Sequence, residues 1–194
     1  MFGLVILSNH IIISLFQYGS FTINDTLMSS MSLVAYSIGL PAFILMKVLL
    51  TGFFSRQDTK TPVRYGIIAV AFNVVMNLSV LAYYLHNPFN GAHAFLALAT
   101  SLSAWLQVFL LYKNLRQNDY ISKSIFKTKP SYQSLLSCII MTIILSYTLL
   151  DVLEWSQNAY YVRGALLLIY IILGAIIYTS TMYILGYKIK KNYI

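Results

Sequence analysis

The sequence predicts an all-α integral membrane protein of six transmembrane helices, and three observations carry that expectation. Of the 194 residues, 59% are hydrophobic and only 9% are charged. A soluble domain is about 45–50% apolar and about 25% charged, so this chain has too few charges to clothe a solvated surface. Apolar runs recur at nearly the length of about 20 residues that crosses about 30 Å of hydrocarbon. The cations, finally, crowd into every second gap between those runs.

In chain order the runs are span A, Met1–Phe16; span B, Ser30–Phe54; span C, Val63–Leu85; span D, Ala92–Tyr112; span E, Tyr132–Leu150; and span F, Val162–Tyr187. Span A is short and begins directly in hydrophobic sequence, without the basic n-region of a secretory signal. The chain reads as entering a helix already under way, and hence as a piece of a longer protein. It divides into four spans over 1–112, a linker over 113–131, and two further helices with a basic tail over 132–194.

Orientation follows from the positive-inside rule. The B–C gap holds Arg56, Lys60 and Arg64. The D–E gap holds Lys113, Arg116, Lys123, Lys127 and Lys129, and the tail adds Lys188, Lys190 and Lys191. Eleven of the 13 Lys and Arg residues thus fall on one side, leaving Lys47 inside span B and Arg163 at the edge of span F. The C-terminus is therefore expected in the cytoplasm. The formal +8 charge is spread over short gaps, so it excludes the solvated basic face that nucleic-acid binding needs. Trp155, Tyr160 and Tyr161 suit an outer aromatic belt, and Tyr183 and Tyr187 an inner one.

Span B is the least ordinary helix. Gly39 and Pro41 lie in its interior, where proline removes a hydrogen bond and favours a kink. Lys47 stands eight residues before Ser55, about 12 Å along the helix from its inner end. An intramembrane lysine costs at least about 2.5 kcal/mol unless it snorkels or faces water or a partner. It either reaches the interface along its own stem or lines a polar cavity for an anion. The following loop, from Gly52 to Val63, carries Arg56, Asp58 and Lys60; it either fixes topology or forms a cytoplasmic gate. Arg56 and Asp58 are spaced to pair across a turn, and Pro62 suits the first turn of span C.

In span C, Asn73 and Asn77 share a face at i, i+4, with Thr100, Ser101 and Ser103 as small polar groups on span D. They serve either helix packing or, through their oxygens, a hard cation such as Na⁺. Catalytic constellations are poor. His10, His86 and His93 are scattered, and Cys138 sits alone in an apolar run. Asp151 and Glu154 read as a solvated end of span E. A membrane-embedded lipid-modifying enzyme would need a clustered acid/base or metal set, so no enzyme is expected.

Two stretches carry a resemblance. Phe16-Gln17-Tyr18-Gly19-Ser20-Phe21-Thr22 with Asp25-Thr26-Leu27-Met28 looks like the periplasmic hairpin of the MurJ/MviN family. The run Ala35-Tyr36-Ser37-Ile38-Gly39-Leu40-Pro41, continuing through Lys47-Val48-Leu49 and the loop Gly52–Val63, resembles that family's most recognisable segment. The stretch from Ala97 to Trp105 fits as well. The likeness is clear over about residues 1–120, while spans E and F match by position and topology.

The resemblance implies a lipid II flippase of the multidrug/oligosaccharidyl-lipid/polysaccharide exporter superfamily, with fourteen helices in two lobes and both termini cytoplasmic. Spans A–F resemble helices nine to fourteen, which would place the chain in a bacterial inner membrane. Its partners would be lipid II or a similar polyprenyl-pyrophosphate-linked saccharide, membrane lipids, and a missing N-terminal lobe. The resemblance places Lys47, Arg56, Asp58 and Lys60 at the cavity or gate, and Asn73, Asn77 and Thr100 at a cation site for Na⁺. An aspartate seen at the second of those positions in some relatives is Asn77 here. No other cofactor is implied. The competing reading is a related exporter of another polyprenyl-linked saccharide or of an organic cation.

Overall fold

The computed structural model describes residues 1–87, 91–118, 129–149 and 151–186. Among these the chain forms seven helices and no strand: α1 (Phe2–Phe16), α2 (Ile23–Phe54), α3 (Lys60–His86), α4 (Ala92–Gln117), α5 (Lys129–Thr148), α6 (Val152–Gln157) and α7 (Tyr160–Ile184). Four of them, α2, α3, α4 and α7, are long and apolar enough to cross a membrane. The helix α1 and the stretch Tyr132–Thr148 of α5 are shorter apolar segments. At 1.5 Å per residue, the 15 residues of α1 reach only about 22 Å.

Helix α2 starts seven residues before span B, because its first turn is polar and its start is set by a cap rather than by hydrophobicity. The Thr22 hydroxyl accepts from the Asp25 amide at 3.3 Å, and the Asp25 carboxylate accepts from the Thr22 amide at 2.9 Å, a capping box. Helix α4 runs past Tyr112 to Gln117, so the linker read over 113–131 begins and ends inside helices. Asn114 explains part of the extension: its amide donates to the Tyr65 hydroxyl at 3.2 Å, tying the last turns of α4 to the first of α3. Lys123 and Lys127 lie outside the described residues, as do Tyr187, Lys188, Lys190 and Lys191.

Two helices, α2 and α3, pack against α4. Along α2 the inward positions are Ala35, Gly39, Ala42, Met46, Leu49 and Phe53; along α4 they are Ala97, Ser101, Ala104, Val108, Leu111 and Leu115. Both sets step by four and three residues, the heptad spacing of a two-helix seam. Helices α2 and α4 run parallel, since Ala35 meets Ser101 at one end and Phe53 meets Leu111 and Leu115 at the other. A second row on α4, including Thr100, Gln107 and Asn114, faces Asn73, Gly66 and Tyr65 of α3. The outer face of α3 is apolar and exposed, as a lipid-facing surface would be.

Helices α5 and α7 form an antiparallel pair, with Gln133 donating to the Leu185 carbonyl at 2.7 Å and Tyr170 to that of Thr148 at 2.7 Å. Helix α1 touches both groups and joins them. The short α6 corrects the expected end of span E: α5 stops at Thr148, and Asp151 and Glu154 belong to a separate turn and a half of helix. Trp155 on α6 is a second correction. It is fully buried, not part of an interfacial belt, because α6 folds back and inserts it between α1 and α7. Tyr160 and Tyr161 remain exposed.

Candidate functional site

The loop between α2 and α3 is built by backbone hydrogen bonds. The Asp58 amide donates to the Phe53 carbonyl at 3.2 Å and the Gln57 amide to that of Phe54 at 3.0 Å, the paired bonds of a Schellman motif. Gln57 occupies the left-handed position that usually takes glycine, with φ +57°. On the other side of the loop, the Asp58 carboxylate accepts from the Thr61 amide at 3.1 Å and so caps α3 from outside its first residue. The hydrogen bonds from Thr61 hold the Asp58 carboxyl below the usual carboxylate range, with a smaller contribution from Lys60. Arg56, Lys60 and Arg64 are exposed around this turn, and Pro62 is buried in the first turn of α3 as expected.

Lys47 is exposed on α2, away from the α4 seam. By helical period it shares a face with Ser29, Tyr36, Leu40 and Thr51. The face is mixed, with Leu33, Phe43 and Phe54 on it as well, so Lys47 is its one charged group. Gly39 and Pro41 sit at the α2–α4 crossing. A methyl group on Gly39 would lie 2.7 Å from Ser101 Oγ and 3.1 Å from its Cα, so glycine here permits backbone contact.

The three residues read as a cation site meet as one ladder between α3 and α4. Asn77 donates to Asn73 Oδ1 at 3.0 Å, Asn73 to Thr100 Oγ1 at 3.4 Å, and Thr100 to the Leu96 carbonyl at 3.2 Å. Asn77 Oδ1 is buried without a partner. The structure does not bring Lys47 and the α2–α3 turn together with this ladder, which lies on the far side of the α4 seam. One to two turns beyond the ladder, Met28, Val80, Leu81, Tyr84, His93 and Leu96 line a largely apolar pocket of about 280 Å³.

A structural centre that the sequence did not disclose lies at the α1–α6–α7 junction. Trp155 donates its indole N–H to Ser14 Oγ at 3.0 Å, and its ring meets His10 edge-on at 4.6 Å and Tyr170 at 5.7 Å. Beside it, Arg163 donates to the carbonyls of Asn158 (2.8 Å), Gln17 (3.5 Å) and Ser156. The guanidinium thus satisfies carbonyls where α1 and α6 end, a favourable place for a cation. Among the described residues no three His, Cys, Asp or Glu side chains converge to hold a metal.

Among the described residues every regular element is a helix and four are long and apolar enough to cross a membrane, which defines a multi-pass membrane protein. The family model described as lipid II flippase MurJ matches residues 1–172, and the chain belongs to that family. Among curated relatives, a probable lipid II flippase of Haemophilus influenzae is 34% identical over 192 residues, covering 99% of this chain and 36% of the relative. A Vibrio cholerae relative of the same description is 48% identical over 115 residues, 59% of this chain and 21% of the relative. One from Rickettsia prowazekii is 32% identical over 186 residues, 95% of this chain and 35% of its own. The chain spans about a third of the length of the relatives that match it from end to end.

Proposed function

We propose that this chain is the C-terminal part of a lipid II flippase that works by alternating access in cell-wall biosynthesis. The family match over residues 1–172 carries the reading. Helices α1–α5 and α7 are then six spans in a bacterial inner membrane, corresponding to helices nine to fourteen of a two-lobed exporter, with the C-terminus cytoplasmic. The short helices α1 and α5 are accommodated by local thinning of the bilayer and by neighbouring protein.

In this reading the face of α2 that carries Lys47 lines the cavity shared with the N-terminal lobe. The ammonium, about 12 Å from the cytoplasmic end, meets the pyrophosphate of the substrate as a point charge. Arg56 and Lys60 attract the same anion at the cytoplasmic mouth, and Asp58 fixes the turn that presents them. The polyprenyl tail stays in lipid. Na⁺ as coupling ion would draw on Asn73, Asn77 and Thr100. A hard cation takes about six oxygens or more, and this ladder supplies three neutral ones, two of them engaged in hydrogen bonds and only Asn77 Oδ1 left over. The ladder by itself does not complete such a site, so its role here is to hold α3 against α4.

Growth tests the proposal. A strain depleted of its own flippase should be rescued by the full protein carrying this chain, and poorly by its Lys47→Ala and Arg56→Ala variants. Failure of the unmodified protein to rescue, with the protein present in the membrane, would favour another polyprenyl-linked saccharide as cargo.

A further inference from the structure

We propose that α2 is two mechanical halves joined at Pro41: a half clamped to α4, and a hinged half that carries Lys47. The clamp lies entirely before the proline. Ser101 Oγ donates to the Ala35 carbonyl at 2.7 Å, and Trp105 Nε1 donates to the Ile38 carbonyl at 3.0 Å. Just after these two carbonyls, Gly39 lets α2 approach the Ser101 backbone closely. The seam residues of the clamp are small, Ala35 and Gly39 against Ala97 and Ser101, and Ala42 against Ala104 continues this just past the proline.

Beyond Pro41 the seam changes character. Its residues become Met46, Leu49 and Phe53 against Val108, Leu111 and Leu115, all apolar. At Gly52 the nearest atoms of α4 are the Leu115 methyl carbons, 3.6 and 3.7 Å from a Cβ, so side chains and not backbone fill the space. Apolar contacts without directional bonds tolerate small slides, and methionine and leucine repack across them. Pro41 has no N–H for the Ser37 carbonyl, so the helix is weakest in bending where the clamp ends. The hinged half therefore moves Lys47 relative to a fixed α4, with the α2–α3 turn, tied to α4 through Tyr65 and Asn114, as its far anchor. The inference deepens the alternating-access reading and rests on it for its purpose, though not for its test.

Spin labels on the full protein in lipid nanodiscs read this motion, with other cysteines removed, Cys138 among them. One pair, Val48→Cys with Phe109→Cys, reports the hinged half; the other, Met31→Cys with Leu102→Cys, reports the clamp. All four positions are exposed. The hinged pair should give a distance distribution about twice as broad as the clamped pair. Pro41→Ala should narrow it, and Trp105→Phe should broaden the clamped pair. Equal widths in the unmodified helix overturn the hinge, even where Pro41→Ala does not fold. A hinged-pair width unchanged by a folded Pro41→Ala overturns it as well. Lipid II transport, measured on the same samples, judges the flippase reading separately.

Discussion

Gln57 and Asp58 show how two side chains shape the α2–α3 turn. A left-handed backbone costs a non-glycine residue about 1–2 kcal/mol. Gln57→Gly relieves that strain while adding freedom to the unfolded chain, so the variant should match or slightly exceed the parent in thermal stability. Gln57→Val, branched at Cβ, should lose about 1 kcal/mol or more in the same unfolding experiment. Asp58 has a folded-state carboxyl below its ordinary value, held there by Thr61. Its contribution is therefore complete above about pH 4, the unfolded range, and is lost only as pH falls through the lower folded value. Hydrogen exchange of a peptide over residues 55–64, corrected for intrinsic rates, should stay constant from pH 8 to 5. Asp58→Ala should speed it several-fold at neutral pH.

Among the elements, the α2–α4 seam and the α6 insertion carry opposite lessons about glycine and tryptophan. Gly39→Ala forces a methyl into Ser101 backbone and should cost about 1–3 kcal/mol. Gly52→Ala meets only leucine methyls at ordinary contact distance and should be neutral or stabilising by about 0.5–1 kcal/mol. Thermal unfolding in detergent compares the two directly. Trp155→Ala should cost about 3–5 kcal/mol, and Trp155→Phe about 1 kcal/mol through the lost bond to Ser14. The same scan should show α5 and α7 loosening from α1 as proteolytic susceptibility between residues 148 and 160.

The whole molecule shows what was legible and why. Long apolar runs marked every long helix, since a span needs unbroken hydrophobic length. The start of α2 escaped that test because Asn24, Asp25 and Thr26 are polar; the spacing Thr22 to Asp25 was the signal that locates it. The heptad seam was hidden in plain view. In a helix apolar all round, Ala97 and Leu111 facing protein look the same as Leu102 and Phe109 facing outward. Trp155 misled for a related reason: tryptophan at a span end suits an interface, and only the fold-back of α6 buries it. Lys47, Arg56, Asp58 and Lys60 were legible as polar exceptions, while the separation of Asn73, Asn77 and Thr100 from them required the packing of α3 on α4.

Movement of substrate is the claim everything else serves. It is tested most directly by the fraction of lipid II exposed at the outer face of cells depleted of their own flippase and supplied with the full protein. The unmodified protein should restore that fraction, and Lys47→Ala should lower its initial rate about tenfold, about 1.4 kcal/mol of barrier. Lipid II remaining at the inner face, while the unmodified protein accumulates in the membrane, would contradict the account.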